Sequence, residues 1–142
     1  MESLNLKRTM YLTEDEIRDN AKVILGFDEK DPDVKQGTGQ ITTFNQLGFK
    51  GVSDKPDGWY LPNDKQDIAI ILETKSEKED VFSEKHYAEL VKNIEIAALQ
   101  YKRVVGILYN GTDVRVIKYI KGSEQYEEIA DVAKTLQNKR YY

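Results

Sequence analysis

The chain has 142 residues, 39% hydrophobic and 32% charged, with a formal net charge of -4. That length suits one domain with its own core, and the composition is polar and globular, too apolar for disorder. The absence of cysteine excludes disulfide scaffolds, thiol nucleophiles and cysteine–zinc sites, and it fits an intracellular, cytoplasmic protein.

The first predicted element is a helix from Thr13 to Leu25. Thr13 and Glu16 have capping-box spacing, and Ile17, Ala21, Ile24 and Leu25 form an apolar stripe. Gly26 is placed to stop the helix, with Phe27 folding back onto its last turn. Residues 28–54 read as loop, with one short element around Ile41 to Phe49. Two strands follow, Asp57 to Leu61 and Asp67 to Lys75, joined by turn residues 62–66. Within the second, Ile68 to Leu72 is unbroken apolar sequence, as in a central strand covered on both faces. A second helix is predicted from Ser83 to Lys102, with one face made by Tyr87, Leu90, Val91, Ile94, Ala97, Ala98 and Tyr101. Val104 to Tyr109 reads as a buried strand, Asn110-Gly111 as a hairpin turn, and Val114 to Ile120 as the return strand. Ala130 to Leu136 suggests a final short helix. The order predicts an α/β fold with a mixed sheet flanked by helices. The helix from Ser83 crosses over and makes Ile68–Leu72 and Val104–Tyr109 parallel neighbours. No apolar run approaches the roughly 20 residues of a membrane span. The opening segment, Met1 to Arg18, carries acids where a signal peptide would be apolar.

Three charged residues surround the apolar strand: Asp57, Glu73 and Lys75. Alternation puts Glu73 and Lys75 on one face. In a hairpin centred on Lys65, Asp57 lies directly opposite Glu73, roughly 5 Å away at Cβ. A centre on Asn63 or Asp64 keeps the pair on one face without direct opposition; a centre between two residues separates them. Two adjacent carboxylates repel unless a cation lies between them. With a single histidine, His86, no site can use two, so a metal must be held mainly by oxygen. Magnesium fits, because it takes one or two carboxylates and fills its shell with water and phosphate oxygens. Lys75 could then orient a water and stabilise developing phosphate charge. A Glu-x-Lys triplet alone is equally a solvated strand end. What favours chemistry is its position after a fully apolar strand, with Pro56-Asp57 opening the partner strand at the matching distance.

Pro56-Asp57 followed by Glu73-Thr74-Lys75 resembles the signature of the PD-(D/E)xK nucleases. The order of helix, hairpin, helix and strand over Thr13 to Ile120 is similar to the restriction-endonuclease-like core of that family. The segment Val105 to Val116 resembles one found in the N-terminal nuclease domains of type I and related single-chain restriction–modification enzymes. The resemblance implies a magnesium-dependent DNA endonuclease, with manganese as a substitute ion. Asp57, Glu73 and the backbone carbonyl of Thr74 would be metal ligands, and Asp57, Glu73 and Lys75 the catalytic residues. It also implies that residues 1–142 form one nuclease domain, the N-terminal part of a longer restriction enzyme. Its partners would be DNA and helicase or methyltransferase domains, with no membrane. Many members carry an acid in the first helix; Glu14, on the sheet-facing side, is the candidate here. Some carry Gln-x-x-x-Tyr in the second helix, from which Gln100-Tyr101 departs. Gln100 is the second accessory candidate, while Tyr101 reads as core. Asn93, Glu89 and His86 read as the solvated face of that helix, and Arg115 and Lys118 as solvated strand positions. The competing reading is a domain of the same fold that binds nucleic acid or protein without chemistry. The acidic balance favours it, whereas the intact Asp, Glu and Lys favour the nuclease.

Overall fold

The computed structural model describes residues 12–24, 26, 31–123 and 125–129. It is an α/β fold: helix α1 (Glu14–Ile24), strands β1 (Val34–Thr38), β2 (Gly58–Pro62) and β3 (Ala69–Thr74), helix α2 (Glu84–Ala97), then β4 (Arg103–Tyr109), β5 (Val114–Ile120) and β6 (Gln125–Glu128). The strands form one mixed sheet in chain order. β3 and β4 are parallel, and the remaining pairs are antiparallel. The parallel pair follows from α2, the crossover between them. Among the described residues no helix is long and apolar enough to cross a membrane.

β3 is buried along its whole length because apolar side chains cover both its faces. Ala69 and Ile71 join Leu90, Ile94 and Ala97 of α2, with Trp59 and Leu61 of β2 beside them. On the other face Ile70 and Leu72 pack with Ala21 of α1 and with Val105 and Ile107 of β4. α1 starts as its capping box directs: the Thr13 N–H donates to Glu16 Oε1 (3.1 Å) and the Glu16 N–H to Thr13 Oγ1 (3.2 Å). Gly26, just past its end, has φ +73°, the left-handed conformation that glycine adopts without a Cβ clash. The helix-closing contact of Phe27 and the final helix over Ala130–Leu136 lie outside the described residues.

Both edge strands escape the sequence pattern. β1 (VKQGT) and β6 (QYEE) are polar and have no apolar alternation, a composition that blunts a sheet edge against pairing with another chain. α2 ends at Ala97, earlier than Lys102, because residues 98–100 tighten into a turn, with Leu99 N–H on Ile96 O and Gln100 N–H on Ala97 O. Tyr101 keeps the periodicity running past the helix: it is buried in the same core and its hydroxyl donates to Pro62 O (2.5 Å). The predicted Asn-Gly turn is a longer loop. β4 and β5 pair up to Tyr109 and Val114, and the Asn110 side chain accepts the Thr112 and Asp113 N–H groups.

α2 approaches β4 most closely at Gly106. A Cβ there would meet Ile94 Cδ1 at 2.5 Å and Cγ1 at 2.8 Å. Gly106→Ala is therefore expected to lower stability by about 1–3 kcal/mol, the usual cost of overpacking. A denaturant titration with an unshifted midpoint would contradict this.

Candidate active site

The hairpin of β2 and β3 has the register centred on Lys65. Gly58 pairs with Leu72, Trp59 with Ile71 and Tyr60 with Ile70. One step beyond the ladder, this register brings Asp57 to the end of β3 where Glu73 lies. The Asp57 backbone is fixed by the Gly39 N–H on its carbonyl (2.9 Å). Its Oδ2 accepts the Thr74 N–H at 2.8 Å and the Thr74 hydroxyl at 3.2 Å. Thr74 thus touches the site by donating to Asp57 from both its backbone and its side chain.

Glu73 lies on the α2 face of β3 and is 7% exposed. The Asn93 side chain donates to its Oε1. Burial, and then the negative charge of Asp57, push the Glu73 carboxyl up to about 9, against the opposing pull of Lys75 and Asn93. The Lys75 N–H donates to Tyr109 O (2.9 Å), which continues the β3–β4 pairing one residue past the strand. Its ammonium meets Glu89 Oε2 at 2.8 Å. Burial lowers the Lys75 pKa, but the hydrogen bond and charge of Glu89 outweigh it, so the ammonium titrates above its ordinary value.

A matched spacing lets α2 serve both residues. Glu89 and Asn93 are one helical turn apart, about 6 Å along the axis. Glu73 and Lys75 are two strand residues apart, about 6.6 Å. Since α2 runs back along β3, Asn93 reaches Glu73 and Glu89 reaches Lys75. Solvated positions on the far face of α2 were the expectation for Asn93 and His86, but both are buried. His86 Nε2 is 3.1 Å from Glu79 Oε2, and Nδ1 is 3.6 Å from Glu89 Oε1.

Glu14, at the start of α1, lies within electrostatic reach of the site. Burial and the charge of Asp57 raise its pKa, while Lys75 and Arg18 lower it. Arg18 is a residue the sequence reading passed over. It is 5% exposed, with Nη2 at 3.7 Å from Asp57 Oδ1 and Nη1 at 2.8 Å from Asp15. Gln100 is placed elsewhere, in the turn between α2 and β4 at the opposite end of the parallel strands, where it donates to Gly48 O (2.7 Å). Arg115 is held by Glu128 (2.6 Å) and stacks over Tyr87, with its guanidinium carbon 4.5 Å from the ring centroid.

Among the described residues, no three His, Cys, Asp or Glu side chains converge as a metal-ligand set. The donors that do meet are two carboxylates, one of them buried and pushed towards protonation by the other. A hard divalent cation would take the place of that proton and let both carboxylates ionise, while keeping most of its shell as water. No protein-family model, curated protein or solved structure matches the chain.

Proposed function

We propose that the chain is a magnesium-dependent endodeoxyribonuclease domain with a restriction-endonuclease-like core of the PD-(D/E)xK type, working within a restriction–modification system. The observation that carries this reading is the end of β3, where Asp57 and Glu73 meet on one side of a buried strand and Lys75 follows two residues later. Asp57 and Glu73 would hold the ion, with the Thr74 carbonyl as a further ligand. Bound magnesium or manganese would polarise a phosphodiester oxygen and acidify a water. Lys75 would orient that water and stabilise the charge developing on the phosphate. Asn93 and Arg18 steady the two carboxylates, and Glu14 lines the same space. Recognition of a particular DNA sequence, and movement along DNA, would fall to partner domains such as a helicase or methyltransferase.

Nicking of supercoiled plasmid is the direct test. Magnesium or manganese is expected to support it and calcium to bind without turnover, because calcium's looser shell acidifies water less. Duplex binding without nicking in any of these ions would favour the inactive binding or interaction domain instead.

A further inference from the structure

We propose that Glu89 is a counter-ion that holds the Lys75 ammonium away from the Asp57–Glu73 carboxylates and so keeps their place open to a divalent cation. This rests on the metal-site reading above and assigns a positioning role to a residue outside that site.

The argument begins with competition. Lys75 and Glu73 share a strand face two residues apart, and a lysine's flexible four-carbon stem can turn back over that distance. Glu73 and Glu14 both attract the ammonium. Without another partner, it would settle between the carboxylates and neutralise them in place of a metal. Glu89 prevents this. It approaches from α2 and takes the ammonium at 2.8 Å. Its own carboxyl is pushed up by burial, yet the Lys75 hydrogen bond and charge, with His86, outweigh that and keep it ionised.

Glu89 also has a buried neighbour on the helix. Its second oxygen faces His86 Nδ1 at 3.6 Å, and the other side of that ring is held by Glu79 at 3.1 Å. His86 is 6% exposed and sits in the first turn of α2, where its backbone N–H donates to the cap residue Ser83 (3.3 Å). The buried ring therefore packs beside the carboxylate, with its Nδ1 making no hydrogen bond among the described residues.

The experiment is a manganese titration of the metal-free protein, followed by electron paramagnetic resonance of free manganese, on the wild type, Glu89→Gln, Lys75→Met and the double variant. Glu89→Gln is expected to weaken manganese binding on the order of tenfold. Its side chain is 40% exposed, so the fold should tolerate the change, which circular dichroism would verify. In the Lys75→Met background the same substitution should have no effect, because the competing ammonium is gone. Equal binding by wild type and Glu89→Gln would overturn the counter-ion role and leave the metal site standing. So would a loss that persists in the Lys75→Met background. A wild type that binds no manganese would overturn the metal site itself, and this role with it.

Discussion

Lys75→Met is expected to lower metal-dependent DNA cleavage by about 10²–10³-fold, the usual loss when one preorganised stabiliser of transition-state charge is removed. Asp57→Asn and Glu73→Gln should cut it at least as far, since each removes a ligand charge from the ion. The three variants should differ in how they fail. Lys75 is not a ligand in this arrangement, so its loss should fall on kcat and leave manganese affinity at or above the wild-type level. Asp57→Asn and Glu73→Gln should instead lose manganese binding along with activity. Asp57→Asn keeps an oxygen that can accept from Thr74, so the hairpin end should stay in place. Cleavage that survives any one of these substitutions would remove that residue from the site.

The Asp57–Glu73 pairing was legible because three independent features agreed. Ile68 to Leu72 read as a buried strand, the turn residues at 62–66 narrowed where the chain reversed to a centre near Lys65, Asp64 or Asn63, and alternation then kept the pair on one face. The structure has that register, with Trp59 opposite Ile71. What α2 brings to the site was harder to read. Asn93 falls among Leu90, Ile94 and Ala97, and a polar residue within an apolar stripe signals a buried partner. Its partner, Glu73, lies twenty residues away in sequence, and only the packing of α2 on β3 reveals it. Arg18 is concealed for a similar reason. It follows Ile17 in α1, and nothing local indicates that its guanidinium turns inward towards Asp57. The edge strands failed in the opposite direction, since polar residues that guard an edge also erase the alternation by which strands are recognised.

Stability should depend on Glu73 with a sign that reverses on adding metal. The folded protein holds this carboxyl at about 9, through burial and the charge of Asp57, whereas in the unfolded chain it titrates near the ordinary value of about 4.3. The folded state therefore binds the proton more tightly. Its contribution to stability is complete below the unfolded value and is lost progressively as pH rises towards 9. Glu73→Gln keeps the shape and cannot ionise, so it removes that loss. In the absence of divalent ions, the variant should match the wild type near pH 4 and be more stable at pH 8. The expected gain there is at most about 5 kcal/mol, because each pH unit between about 4.3 and 8 costs the wild type about 1.4 kcal/mol. For a domain of this size each kcal/mol corresponds to about 3–4 °C in Tm. Magnesium should invert the ranking at pH 8, because an ion that binds the folded carboxylate pair stabilises only the chain that has both acids. Melting curves for the two proteins at pH 4 and pH 8, with chelator and with magnesium, test both halves. A Tm difference that ignores pH would mean that Glu73 ionises at its ordinary pH, without the burial and Asp57 repulsion that a cation would relieve.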